Sequence, residues 1–159
     1  MIVPIKIEFL PSCLEIMKLS YENTAIKFGM TEENCPYRGR TCLPYHVLED
    51  EYNAGCMMYG YKQNEAIIGF LSLRKEQQIM RVNDIAILPA YQNKGFGSTL
   101  IQFAIEQAKA QNCDRIILGM VYDNVPLRKW YEKMGFRTIK LKKYEKVNYQ
   151  VATMELLLR

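Results

Sequence analysis

Asp84-Ile85-Ala86-Ile87-Leu88-Pro89 leads into Gln92-Asn93-Lys94-Gly95-Phe96-Gly97, and an amphipathic run from Ser98 to Gln111 follows. An apolar strand therefore passes through a short polar loop with two glycines into a helix. Such a junction aims several unpaired backbone N–H groups and the positive end of a helix dipole at one spot, which suits phosphate. Glycine has no Cβ, so the chain turns sharply and a ligand can approach the main chain. Two nucleotide motifs do not fit. A P-loop has Gly, four residues, then Gly-Lys-Ser/Thr, whereas Lys94 precedes its glycine. A dinucleotide fingerprint needs a third small residue where Leu100 stands. Taken alone, the loop is also compatible with a tight turn that binds nothing.

The pattern Gln92-x-x-Gly95-x-Gly97 resembles motif A, Gln/Arg-x-x-Gly-x-Gly/Ala, of the GNAT superfamily of acyl-CoA-dependent N-acetyltransferases. A second match lies downstream, at Asn124 and Leu127-Arg128-Lys129-Trp130-Tyr131-Glu132-Lys133-Met134-Gly135-Phe136. It is similar to the family's motif B, Asn-x-x-Ala-x-x-x-Tyr-x-x-x-Gly-Phe, with Arg128 or a neighbour in place of the small residue. The motifs stand in the family's order, one helix and one strand apart, and the resemblance covers about Ile67 to Met154.

The resemblance implies an α/β fold: a mixed central sheet flanked by helices, splayed between the strands that precede the two motifs. It implies acetyl-CoA as co-substrate, with the pantetheine arm pairing with backbone in the gap as a pseudo-strand. Ile85, Ala86 and Ile87 would offer main-chain groups, and the Ile87 N–H would polarise the thioester carbonyl. Gln92, Asn93, Lys94, Gly95, Phe96, Gly97 and Ser98 would form the pyrophosphate loop, with the Ser98 hydroxyl either adding to it or capping the helix. Asn124 would bond the pantetheine arm, or serve as an N-cap. Tyr131 would be the general acid for the departing thiolate, since a phenol stays protonated at neutral pH.

The base departs from the family pattern. Some members carry a glutamate on the strand before Asn124, but Leu118-Gly119-Met120-Val121-Tyr122 contains no acid. Asp84 is the best-placed carboxylate by sequence, with a salt-bridging or capping role left open. Glu76 is weaker, and a water relay to backbone carbonyls is a further route.

The chain has 159 residues, enough for one domain, and residues 1–159 are expected to form a single GNAT-like unit. No apolar run reaches membrane-span length and the start lacks a signal-peptide core, so no membrane association is expected. Five cysteines, odd in number and scattered, suggest reduced thiols and a cytoplasmic protein. Cys35, Cys42 and His46 match no zinc spacing, and no metal is expected. A net charge of +4 suits an anionic ligand, whereas a nucleic-acid partner would call for a basic stripe. The acceptor is expected to be a small-molecule or peptide amine, which Glu32, Glu33, Glu49, Asp50 and Glu51 would attract if they are not simply solvated. The first helix, residues 29–46 and the last strand-to-strand loop are expected to contact it. The resemblance is compatible with a homodimer. A non-catalytic acyl-CoA-binding module is the alternative, against which Tyr131 argues.

The rest of the chain reads as a strand over Ile2–Phe9 and a helix from a capping box, Ser12-x-x-Glu15, to Gly29. Residues 29–46 look irregular, with a short helix over Leu43–Tyr52. A hairpin over 56–74 and a strand over Met80–Leu88 come next. After the glycine loop and its helix follow a buried strand over Asp114–Val121, a helix over Asn124–Met134, and strands over Phe136–Leu141 and Gln150–Leu158.

Overall fold

A computed structural model describes residues 1–159. Seven strands form one sheet: β1 (Ile2–Pro4), β2 (Met57–Gln63), β3 (Ala66–Glu76), β4 (Ile79–Ile87), β5 (Arg115–Val121), β6 (Arg137–Lys143) and β7 (Gln150–Leu157). Their spatial order is β1-β2-β3-β4-β5-β7-β6. Every pairing is antiparallel except β4 with β5. Parallel neighbours need a crossover, and helix α4 (Phe96–Ala110) supplies it. The other helices are α1 (Leu10–Lys27), α3 (Tyr45–Asn53) and α5 (Val125–Lys133), and α2 (Tyr37–Arg40) is a single turn with left-handed φ.

Most elements fall where the sequence puts them. The β2–β3 turn is made by Asn64 and Glu65, both at positive φ (50° and 68°), the geometry that suits the twist of a tight hairpin. The start of the chain differs. The strand expected over Ile2–Phe9 stops at Pro4, and a short 3-10 turn spans Ile7–Phe9. Helix α1 then begins at Leu10, so Ser12 and Glu15 lie inside it and make no capping box. Pro11 explains the earlier start. It lacks an N–H, and the first helical turn does not need one.

The sheet divides the core in two. On one face α4 and α5 cover Leu71, Leu73, Met80, Val82, Ile116 and Leu118. On the other, α1 and α3 cover Phe70, Ala86 and Met58. A β-bulge decides which face β4 presents. Leu71 pairs with Ile85 and Ser72 with Asp84, but Leu73 pairs with Val82, so Asn83 is an extra residue. Before the bulge Met80 and Val82 face α4; after it Ile85 and Ile87 do, and Asp84 and Ala86 turn toward α1. The pairing with β5 ends at the same place. It runs from Ile79↔Arg115 to Val82↔Leu118 and goes no further. Beyond Val82 the two strands diverge, and Gly119 to Val121 pair only with β7. The sheet is thus splayed between the strands that precede the two motifs.

No helix is long and apolar enough to cross a membrane. The basic residues Lys140, Lys142 and Lys143 stand exposed on edge strand β6.

Candidate active site

Two cavities meet at the splay. The larger, of about 460 Å³, runs from Ile85 and Ile87 to the glycine loop and α5, with Gln92, Gly95, Gly97 and Asn124 on its walls. The smaller, of about 230 Å³, fills the opening between β4 and β5 and is closed by Tyr21, Met30 and Arg40. Tyr21, Thr24, Ile85, Asn124 and Leu127 line both, so the two spaces adjoin at these side chains.

At the glycine loop, Asn93 (φ 61°) and Gly95 (φ 90°) are left-handed, which folds the chain back on itself just before α4. Thr99 N–H already donates to Gly95 O at 3.1 Å. The N–H groups of Phe96, Gly97 and Ser98 precede the first intrahelical donor, and no side chain caps the helix. Ser98 is therefore not acting as a cap, and these donors suit an anion. A side chain at Gly97 would meet the Trp130 ring, with atoms at 3.2 and 3.3 Å, so this glycine lets α5 close against α4. The Phe96 ring packs on Tyr61 and Tyr91, leaving its N–H as what it can offer a ligand. The Lys94 ammonium lies 6.0 Å above the Tyr91 ring. Gln92 braces the loop by donating from Nε2 to Ile87 O at 2.9 Å.

Backbone groups alternate along β4. Leu88 N–H donates to Ile68 O of the β3 side, so the even-numbered residues here, Ala86 included, turn their polar groups toward β3. Ile85 and Ile87 turn theirs to the open edge. There the Ile87 N–H donates to Ser20 Oγ at 3.3 Å and Ile85 O accepts from the Tyr21 hydroxyl at 3.2 Å. These bonds come from side chains of α1, not from a neighbouring strand. Asn124 precedes α5, but its side chain makes no cap bond; the residue lines both cavities. Arg128 stands where the family motif has a small residue. It is tied down by a bond to Tyr122 O (3.1 Å) and by stacking 4.3 Å from the Tyr122 ring centroid.

Tyr131 is 4% exposed and packed edge-on against Phe136. Burial alone raises its phenol above the usual range, and no charged neighbour opposes this. It lies near enough to Tyr21 to raise that phenol as well. Asp84 is 3% exposed and belongs to the smaller cavity. Its carboxylate takes a two-point grip from Arg40, Nε to Oδ1 at 2.9 Å and Nη2 to Oδ2 at 2.8 Å. The Tyr21 hydroxyl adds a bond to Oδ1 at 3.2 Å. Burial pushes the Asp84 pKa up, the Arg40 charge pulls it back, and the balance stands at about 6. Glu76 sits at the far end of β3 and is paired with Arg74 and Arg81, remote from the cavities.

Ser20, Tyr21, Thr24 and Arg40 line the cavities without being among the residues expected from the sequence. Ser20, Tyr21 and Thr24 share one face of α1 by helical spacing, a signal present in the sequence. Arg40 carried no such signal. Residues 29–46 do reach the smaller cavity, through Met30, Gly39 and Arg40. The β6–β7 loop does not line it. Val147 and Tyr149 instead pack on Ala25 and Met30 behind the wall.

The family model described as "Acetyltransferase (GNAT) family" matches residues 26–136. The chain belongs to the GNAT acetyltransferase family. Among curated relatives, the uncharacterized N-acetyltransferase YvbK of Bacillus subtilis (strain 168) is 30% identical over 95 residues, 59% of this chain and 61% of that protein. The ribosomal protein bS18-alanine N-acetyltransferase of Haemophilus influenzae is 35% identical over 81 residues, 51% of this chain and 55% of that one. The chain thus spans less than two thirds of the length of the curated relatives it matches. The ribosomal-protein-S18-alanine N-acetyltransferase of Escherichia coli superposes with a TM-score of 0.80 at 15% identity, covering 99% of this chain and 93% of that one. The PaiA N-acetyltransferase of Thermoplasma acidophilum, solved with coenzyme A, gives 0.76 at 20% identity over 99% of this chain and 98% of that one. At these identities the GNAT structures speak for the fold. The splay, the uncapped α4 start and the two cavities are the local features of this GNAT chain that bear on chemistry.

Proposed function

We propose that this GNAT chain moves acetyl from acetyl-CoA to a primary amine by direct attack. The observation that carries the reading is the end of β4–β5 pairing at Val82 and Leu118, beside a helix start without a cap. The gap leaves main-chain groups of Ile85 and Ile87 facing a cavity, and the uncapped N–H groups lie at that cavity's other end. Those two features together fit a long cofactor with a pyrophosphate at one end and an amide-bearing arm. Phe96, Gly97 and Ser98 would hold the pyrophosphate, with Gln92, Asn93, Lys94 and Gly95 shaping the loop. Ile85, Ile87 and the Asn124 amide would hold the arm, which supplies the acetyl thioester.

The residues then divide the work. Asp84 takes the proton of the acceptor ammonium, and the freed nitrogen forms the new bond to the acetyl carbon. The Ile87 N–H, exchanging Ser20 for the carbonyl oxygen, stabilises charge as it develops there. The carbon–sulfur bond breaks, Tyr131 gives its proton to the leaving thiolate, and the second proton shed by the acylated nitrogen restores the phenol. A base near neutral pKa and a phenol held protonated are matched to these two roles. Arg40 with Asp84 and Glu51 sums to one negative charge beside the acceptor cavity, which favours a cationic amine. Relatives named for bS18 alanine and for N-alpha acetylation put protein N-termini among the candidate acceptors, beside small amines.

A panel of amines, followed by release of free coenzyme A thiol, tests the reading. Turnover with at least one amine class is expected. No turnover with any amine, alongside tight acetyl-CoA binding, would leave a binding module instead.

A further inference from the structure

Arg40 reaches the acceptor cavity from a backbone that L residues rarely adopt. Tyr37, Arg38, Gly39 and Arg40 all have positive φ (51°, 51°, 64° and 66°), so α2 is a single left-handed turn. Strained turns persist where the surroundings over-determine them, and they collect at functional sites. Here Arg38 is the anchor. It donates to Glu22 (2.8 Å), to Thr41 Oγ1 (3.1 Å) and to Met30 O (3.2 Å). With the turn fixed, the Arg40 fork meets two carboxylates at once. Besides Asp84, Nη2 and Nη1 donate to Glu51 at 2.9 and 3.2 Å.

Other elements also face Asp84. From α1 come the Tyr21 hydroxyl and the Cys13 thiol, whose pKa burial and Asp84 push up to about 12. Ser72 of β3 pairs with Asp84, and its buried hydroxyl has no partner. Cys56, following α3, feels burial first and then Glu51, with Asp84 a smaller influence. Arg40 is the one cation in this set.

We propose that Arg40 is a positioning residue: its two-point grip holds Asp84 ionised and turned toward the acceptor cavity, while Glu51 competes for the same guanidinium and weakens that grip. The proposal rests on the reading of Asp84 as base. Without Arg40, burial would keep Asp84 neutral and unable to take a proton. With an Arg40 devoted wholly to it, Asp84 would be too weak a base. Glu51, itself a negative charge near Asp84, makes the compromise adjustable.

The test uses opposed signs. The acidic limb of the kcat/KM–pH profile and the 13C titration of the Asp84 carboxyl are measured on the full chain. The Arg40→Gln variant is expected to move both upward by about 1–3 pH units, the usual reach of one opposite charge. Arg40→Lys moves them less, because an ammonium keeps the charge but not the fork. Glu51→Gln moves them downward. A merely structural role would give no such opposition. Shifts of the same sign in Arg40→Gln and Glu51→Gln, or a carboxyl titration that ignores Arg40, overturn the proposal. A carboxyl that follows Arg40 while the rate limb stays at the parent's position shows that Asp84 is not the base, and Arg40's place in the reaction falls with it. If Arg40→Gln does not fold, Arg40→Lys and Glu51→Gln still carry the opposite signs.

Discussion

Ser72 of β3 pairs with Asp84 of β4, and the next pairing, Leu73 with Val82, skips Asn83. That single extra residue turns Asp84 from the α4 face to the α1 face, where its carboxylate meets Tyr21 and Arg40. Ser72 sits under the bulge with its hydroxyl fully buried and unpartnered.

A buried hydroxyl without a hydrogen bond is a desolvation cost with no return. Ser72→Ala is therefore expected to leave stability unchanged or to raise it by about 1 kcal/mol. Urea denaturation checks this. A loss above about 1 kcal/mol would mean that the hydroxyl does have a partner in solution.

The pH dependence of stability should carry the mark of Asp84. Its folded-state pKa of about 6 lies above the roughly 3.9 of an unfolded aspartate. Below about pH 4 the group is protonated in both states and its stabilising contribution is fully present. As pH rises through about 6 the folded protein ionises a buried carboxyl and that contribution is lost. Asp84→Asn cannot lose it. The stability difference between variant and parent should move in the variant's favour by about 2–3 kcal/mol between about pH 4 and pH 7. Urea midpoints at both pH values check it, and a constant difference would refute the raised pKa.

Much of the local fold around the candidate site was legible, and the reason is local. Strand, glycine loop and helix lie next to one another in the chain, so Gln92 to Ser98 and the periodicity after them point directly to the tight strand-to-helix turn that the structure shows. Asn124 and Tyr131 are likewise close in the chain, one just before α5 and the other within it. Two things were not legible. The bulge at Asn83 depends on pairing with β3, and alternation within β4 alone would send Asp84 to the wrong face. Arg40 depends on a left-handed turn held by Glu22 of α1, far away in sequence, and composition says nothing of it. The first strand is shorter than its apolar residues suggest because a 3-10 turn takes up Ile7–Phe9 and Pro11 suits the first helical turn, ahead of Ser12.

The two loop glycines should fail differently. Gly95 has a φ of 90° and open space around it, so a methyl group there meets strain and no neighbour. Gly95→Ala is expected to cost about 1–2 kcal/mol of stability. A Cβ at Gly97 would come within 3.2 Å of the Trp130 ring, and that ring lines the larger cavity. Gly97→Ala must push the ring, and the expected effect is on binding: a weakening of acetyl-CoA affinity by about threefold to tenfold, with little loss of stability. Calorimetric titration and thermal unfolding of both variants separate the two. Equal stability losses would show that Trp130 does not yield.

Tyr131→Phe isolates the proton. The ring stays, packed on Phe136 and Trp130, and no hydrogen bond contributes to the hydroxyl's raised pKa. Stability should therefore stay unchanged or rise by up to about 1 kcal/mol. Asn124, Ile85 and Ile87 are untouched, so acetyl-CoA affinity should remain within about twofold of the parent. Turnover should fall by about 10²–10⁴, the usual worth of a positioned acid. The measurement is single-turnover acetyl transfer beside calorimetric affinity. Unchanged single-turnover rates would remove Tyr131 as the acid, because chemistry is what that experiment times. A loss of affinity in step with rate would instead make Tyr131 a wall of the cofactor cavity, whose hydroxyl is used in binding and not in transfer.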